Sequence, residues 1–295
     1  MLLWIVGIIS FIVAVRVIHH RRSGICPSKR LLYGKTAIVT GSSAGIGKET
    51  ARDLARRGAR VILACRNVAK AQRIADDIIG TTGNGQVYVK QLDTSDLSSV
   101  RRFAKDIIDN EKELHILVNN AGISAPKDKQ LTSDGLELTM ATNHFGHFLL
   151  TNMLLNLLKK SAPSRVVNVS SIAHSFCKHL VADDLNYENT PYPGHTVSYG
   201  QSKLANVLFT VELAERMKDT GVTTNCLHPG FVSTEIFYKE GVNIITYSVG
   251  LLFKLIGKIS PRSDLAKDRG LAKKLWEVSE TLVNLSQEDL NYGGK

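Results

Sequence analysis

Residues 36–51 read TAIVTGSSAGIGKETA, and the way this stretch folds constrains how the rest of the chain can fold. TAIVT has the length and the β-branched, apolar character of a buried strand. GSSAG then breaks the run, and IGKETA opens a helical pattern. A strand that passes through glycines straight into a helix is the first half of a βαβ unit. Gly41, Gly45 and Gly47 stand where the backbone must bend tightly and allow a ligand to come close. Free amides at the head of a helix beginning near Ile46 then suit a pyrophosphate, aided by the helix dipole. The spacing is G-x-x-x-G-x-G, which differs from the common G-x-G-x-x-G dinucleotide fingerprint.

Outward from that loop, short β-rich runs alternate with longer helical ones. KTAIVT, ARVILAC, QVYVKQL, HILVNN, RVVNVSS and TTNCLH read as strands. Helical stretches lie near 46–58, 68–80, 95–110, 133–159 and 199–219. Strands that are apolar almost throughout, separated by helices, predict a parallel sheet covered on both faces. The expected fold is therefore α/β, a Rossmann-type doubly wound sheet in three αβα layers, occupying residues 35–295 as one domain. The end of the second strand bears on the cofactor. An acidic residue about 20 positions past the glycines usually holds a ribose 2′-hydroxyl, but the sequence there is ACRN, with Arg66 and no carboxylate. A guanidinium suits a 2′-phosphate through forked, charge-assisted hydrogen bonds, so NADP(H) is the expected cofactor.

The 295 residues are 43% hydrophobic and 22% charged, which is ordinary for a globular protein. Cys26, Cys65, Cys177 and Cys226 are scattered without metal-ligand spacing, so neither a zinc site nor a disulfide framework is expected. MLLWIVGIISFIVAVRVI, residues 1–18, is apolar except for Ser10 and Arg16. A crossing helix takes about 20 residues, with a lower limit near roughly 17, so this run suffices if Arg16 snorkels. No basic segment precedes it and no A-x-A-like site follows it, unlike a cleaved signal peptide. Residues 1–22 are thus expected to be a single-pass membrane anchor and 23–34 a linker. Arg21, Arg22, Lys29 and Arg30 come after the run and place the remainder on the cytosolic side. The net charge of +10 is spread along the chain apart from that cluster. It fits attraction to anionic lipid, and no nucleic-acid motif accompanies it.

SYGQSKLANVLF, residues 198–209, sets Tyr199 and Lys203 on one helical face a turn apart. The pair is either an exposed ornament or a phenol tuned by an ammonium, depending on whether a pocket surrounds it. With TGSSAGIG, NNAG at 119–122 and YGQSK at 199–203 in this order, the chain resembles the short-chain dehydrogenase/reductase family. RVVNVSSIAH, NHFGHFLLTN, SYGQSKLANVLF and LHPGFVSTE are similar to its microsomal retinol dehydrogenase group of retinal reductases. The resemblance implies hydride transfer between a nicotinamide and a lipophilic carbonyl or alcohol, all-trans-retinal/retinol first and steroid or lipid aldehyde second. It implies a catalytic group of Asn143, Ser171, Tyr199 and Lys203. Tyr199 would exchange a proton with the substrate oxygen, and Lys203 would bring the phenol below its ordinary pKa of about 10. Ser171 would bind the substrate oxygen, the adjacent Ser170 being set aside on the resemblance alone, and Asn143 would hold a water leading from Lys203 to solvent.

On the cofactor side, the resemblance adds Ser43, Asp93, Asn119, Ala121, Gly122, Pro229, Gly230, Val232 and Thr234 to the loop glycines, Ile46, Arg66, Tyr199 and Lys203. It also implies an endoplasmic reticulum membrane, with a mitochondrial membrane as the alternative. About three residues around ENTPYPGHTV exceed the length expected between Ser171 and Tyr199. Residues 232–258 are expected to form an amphipathic lid facing lipid or core, followed by a C-terminal helix over about 264–285. The helix and seventh strand that the family places between them are missing. This opens a rival reading, a catalytically impaired, membrane-tethered cofactor-binding protein. It also leaves strand six as an edge and the oligomeric state open.

Overall fold

The computed structural model describes residues 28–230 and 263–292, together with Ser10, Phe11 and Ala14. The anchor expected over 1–22 and the lid expected over 232–258 lie outside these residues, apart from those three. No helix among the described residues is long and apolar enough to cross a membrane.

The opening stretch forms β1, Thr36–Thr40, with all five residues buried, and then α1, Gly45–Arg56. There follow β2, Arg60–Cys65; α2, Val68–Thr82; β3, Val87–Gln91; α3, Leu97–Asn110; and β4, Ile116–Asn119. A short turn at Leu138–Met140 and a π-helical turn at Ala141–Phe145 lead into α4, Gly146–Lys160. The chain continues with β5, Ser164–Val169; α5, His195–Arg216; β6, Val222–Leu227; α6, Arg269–Leu282; and the short α7, Gln287–Asn291. All six expected strands are present and parallel, in the order β3-β2-β1-β4-β5-β6. Among the described residues β6 pairs with β5 alone.

This order reverses between β1 and β4, and ligands of open α/β sheets settle outside the carboxyl ends of the strands at that reversal. The fold thus brings Gly41 and Asn120–Gly122 to one crevice. Side chains alternate across β1: Ala37 and Val39 join the cluster under α1 and α2, while Ile38 joins the one under α3, α4, α5 and α6. Strands buried on both faces need no polar alternation, which explains the continuous apolar runs.

The helices begin in different ways. Asn67 caps α2 by accepting from the Lys70 amide, Asp96 caps α3 through the Ser98 and Ser99 amides, and Asp268 caps α6 through the Leu271 amide. Ala44 precedes α1 and provides no side-chain cap. The C-terminal helix is shorter than expected but firmly docked. Trp276 packs against Phe148 at 4.9 Å and Phe209 at 5.6 Å between ring centroids, with the Arg216 guanidinium 4.2 Å over its ring. Arg101 on α3 binds the Asp289 carboxylate at 3.3 Å and the Val283 carbonyl at 2.8 Å.

Candidate active site

The crevice starts with what glycine leaves out. Gly41 has φ +64, and a Cβ there would lie 2.7 Å from the Ala121 Cα. A Cβ on Gly47 would lie 2.4 Å from Asn120 Nδ2 and 2.6 Å from the Gly41 oxygen. Asn120 occupies that space, donating from Nδ2 to the Thr40 carbonyl at 2.8 Å and, at 3.3 Å, to that of Gly41. Thr40 Oγ1 in turn accepts from the Asn120 and Ala121 amides at 2.8 and 2.9 Å. The segment after β4 is thereby bolted to the loop after β1, and the uncapped head of α1 faces the crevice. Gly45 takes φ +54, as the tight turn requires. A cleft of about 630 Å³ lined by Gly45, Ile46 and Pro229 runs down the outer side of α1 as far as Leu54. It joins Pro229 to the glycine loop and does not reach Tyr199.

Arg66 and Asp93 stand after β2 and at the end of β3, with Nη1 3.7 Å from Oδ2 and the arginine side chain 68% exposed. Asp93 also accepts from the Ser95 amide and hydroxyl. An exposed ion pair of this kind is worth about 0–1 kcal/mol, so the guanidinium is easily turned to a phosphate. Cradle and uncapped helix together fit the pyrophosphate of a nicotinamide dinucleotide.

At the other end, Gly200 lets α5 press on the turn that follows β5: a Cβ there would lie 3.0 Å from the Ala173 oxygen. The Ser171 hydroxyl, on that turn, lies close enough to the Tyr199 phenol to draw its pKa down. Ser170 points the other way and donates to the Lys203 carbonyl at 2.7 Å. The two serines, adjacent in sequence just after β5, send their hydroxyls in different directions. Lys203 is buried, donates to the Val169 carbonyl at 3.2 Å and has its ammonium 5.6 Å from the Tyr199 ring centroid. Gly122 makes room for it, since a Cβ there would lie 3.3 Å from Nζ and 3.1 Å from Asn143 Oδ1. The Asn143 side chain accepts from the Ile123 amide at 2.8 Å and donates to the Ile123 carbonyl at 3.0 Å and Ser202 Oγ at 2.9 Å. Tyr199, Lys203, Ser171, Asn143 and Gly122 therefore meet at the carboxyl ends of β4 and β5.

The electrostatics correct the sequence-based expectation for the phenol. Burial pushes the Tyr199 pKa up, and the bond with Ser171 only partly offsets this. Burial acts on the ammonium as well, lowering Lys203 to about 8. Spacing along a helix shows that a charge is near; it does not show how much water both groups lose. The expected placement of Asn119 also needs amending. Its side chain turns into the sheet, donating to Asn168 Oδ1 at 2.8 Å and Thr151 Oγ1 at 2.9 Å, and only its backbone borders the crevice. Val232 and Thr234 lie outside the described residues.

Thr40, His147 and Asn206, which the sequence did not mark as site residues, help to build the site, as does Asn120, which NNAG places there without a role of its own. Thr40 Oγ1 is 2.9 Å from His147 Nε2, whose ring Nδ1 is 3.1 Å from the Asn143 carbonyl oxygen. Asn206 Nδ2 donates to that same oxygen at 3.0 Å. The doubled asparagine of NNAG was a usable signal for Asn120; the others look like ordinary helix or strand positions.

Residues 35–181 match the family described as short chain dehydrogenase. Retinol dehydrogenase 11 of Mus musculus is 50% identical over 230 residues, covering 77% of this chain and 71% of that protein. Among solved structures, an uncharacterized protein from Mycobacterium paratuberculosis aligns with TM-score 0.68 and 36% identity over 86% of this chain and 95% of its own. A short chain dehydrogenase from Escherichia coli CFT073 complexed with NADPH aligns with TM-score 0.59 and 26% identity, over 80% and 96% respectively.

Proposed function

The chain belongs to the short-chain dehydrogenase family, whose members are oxidoreductases acting on CH–OH groups with a nicotinamide cofactor, and from that premise we propose that it is an NADP(H)-dependent retinal/retinol oxidoreductase. The observation that carries this reading is the meeting of Tyr199, Ser171 and Lys203 beside Gly122, at the reversal of the sheet. The retinoid assignment draws on the names of the relatives. The choice of NADP(H) draws on Arg66, on the lack of an acid after β2, and on the NADPH complex of a structural neighbour.

The loop glycines, Ser43 and Ile46 would hold the pyrophosphate, Arg66 the 2′-phosphate, Asp93 the adenine, and Ala121 and Gly122 the ribose side. Pro229, Gly230, Val232 and Thr234 would border the nicotinamide. When bound, the cofactor supplies or accepts a hydride. The chain's own task is the proton. Ser171 orients the substrate oxygen toward the Tyr199 hydroxyl, which donates its proton during reduction and takes it back during oxidation. Burial keeps the phenol protonated at neutral pH, the form a proton donor must have. Lys203 stabilises the phenolate left behind, and Asn143 holds the segment carrying Gly122 against it. The catalytic domain, residues 35–295, would sit on the cytosolic side of the endoplasmic reticulum membrane behind an anchor over residues 1–22.

The test is reduction of all-trans-retinaldehyde by the purified full-length protein with NADPH, with retinol resolved chromatographically. The expected result is retinol formation that far exceeds turnover of a short-chain aldehyde at equal concentration. Tight NADPH binding without turnover of any lipophilic carbonyl would point instead to a tethered cofactor-binding protein.

A further inference from the structure

We propose that His144 is a positioning residue: through Asn206 it fixes the main-chain carbonyl of Asn143, so that docking of the C-terminal helix α6 through Ser279 sets the geometry of the active site. The inference deepens the oxidoreductase reading and rests on it for its kinetic consequences. Its structural content stands apart from that reading.

The Asn143 carbonyl can only accept, so both groups that reach it must donate: the His147 ring through Nδ1 at 3.1 Å and Asn206 through Nδ2 at 3.0 Å. That orientation of the Asn206 amide turns its Oδ1 toward His144 Nδ1, 3.3 Å away. An amide oxygen also only accepts, so Nδ1 of His144 carries the hydrogen. A neutral imidazole then offers Nε2 as an acceptor, and Nε2 lies 3.0 Å from the Ser279 hydroxyl on α6. The serine hydrogen has a second place to go, the Leu275 carbonyl at 2.7 Å. Only donation to His144 avoids two acceptors facing each other at Asn206.

The surroundings give this relay its leverage. His144 is fully buried, with the rings of Phe145, Phe148 and Phe209 5.3, 6.0 and 6.0 Å from its own. His147 lies on the same helix a turn away, and burial keeps both imidazoles neutral. Water has no ready path to a broken link in such a setting, so an orphaned partner pays the full desolvation cost. Phenylalanine would keep an aromatic ring in this cluster; what it lacks is the donor to Asn206 and the acceptor for Ser279. The π-helical turn at Ala141–Phe145 holds both His144 and Asn143, the residue that receives the relay and the one it acts on. From Asn143 any displacement passes to Ile123 and to Ser202, whose hydroxyl donates to the Tyr199 carbonyl at 2.8 Å.

The experiment uses the full-length protein, with His144→Phe, His144→Asn and Ser279→Ala beside the wild type. Heteronuclear NMR of histidine-labelled protein reads the tautomer of His144, assigned from the resonance lost in His144→Phe or His144→Asn. Retinaldehyde turnover and NADPH titration read the function. The expected results are an Nδ1–H tautomer in the wild type and its perturbation in Ser279→Ala. His144→Phe should lose about tenfold in kcat with the NADPH dissociation constant within roughly twofold of wild type. His144→Asn, which keeps a donor at the Nδ1 position, should recover most of that loss. An Nε2–H tautomer in the wild type overturns the proposal, as does wild-type kcat in His144→Phe or a kcat loss matched by an equal loss of NADPH affinity. Should His144→Phe not fold, the tautomer and Ser279→Ala decide. A wild type that turns over no carbonyl refutes the oxidoreductase reading, and the tautomer then decides this one.

Discussion

Around Gly41, Gly45 and Gly47 the crevice is shaped by backbone and by missing side chains. Around Tyr199 it is shaped by side chains drawn from β5, α5 and the π-helical turn. The difference lies in how each end is held. The glycine end is secured where the end of β1, the head of α1 and the segment after β4 meet: Gly47 against Asn120, and Thr40 against the Asn120 and Ala121 amides. The tyrosine end depends on groups up to 135 positions apart in the chain, as between His144 and Ser279. A backbone cradle fails when a side chain intrudes, and a side-chain cluster fails when a partner is removed or charged.

The largest effect on cofactor affinity should come from intrusion at the cradle. Gly47→Val places atoms inside contact distance of Asn120 Nδ2 and the Gly41 oxygen, at a strain cost of about 1–3 kcal/mol or more. NADPH affinity measured by fluorescence titration should fall about tenfold to a hundredfold, while any retained fold keeps Tyr199 and Lys203 adjacent. If affinity is unchanged, the loop is not the phosphate site. The next effect concerns selectivity. Arg66→Asp should raise KM for NADPH about tenfold or more through loss of a charge-assisted contact while sparing or improving NADH. Equal losses with both cofactors would remove Arg66 from 2′-phosphate recognition.

The smallest effect is thermodynamic and belongs to the side-chain end. Burial lowers His144 to about 3 and His147 to about 4 from the ordinary 6.5. Between pH 6.5 and 4 the unfolded chain therefore binds protons that the folded chain refuses, so unfolding takes up protons and stability falls as pH falls. Urea denaturation across that range should show the decline, and His147→Gln should flatten part of it. A decline of the same steepness in that variant would place the proton uptake elsewhere.

These contrasts also explain what the sequence could reveal. The six strands were legible because each is a short β-rich run bounded by glycine or polar residues, and β1, β2 and β4, buried almost throughout, have no alternation to misread. Tyr199 and Lys203 were legible because helical spacing is a local property. Ser170 and Ser171 could not be told apart without the turn after β5, which sends one hydroxyl to Lys203 and the other to Tyr199. NHFGHFLLTN reads as an apolar helix with stray polar residues, and nothing local says that both histidines are sealed inside, one bonded to Thr40 on β1 and the other to Ser279 on α6. The direction of the Tyr199 shift failed for the same reason, since burial belongs to the tertiary structure and the neighbouring charge to the primary one.

The central claim is that the two ends work together but fail separately, and Tyr199→Phe tests it on a single preparation. NADPH should lose only a few-fold in affinity in this variant, because removal of one hydroxyl on the nicotinamide side leaves the glycine cradle intact. Turnover of retinaldehyde should fall by about a hundredfold to ten-thousandfold, the usual contribution of a general acid. Turnover within threefold of wild type would contradict the account outright.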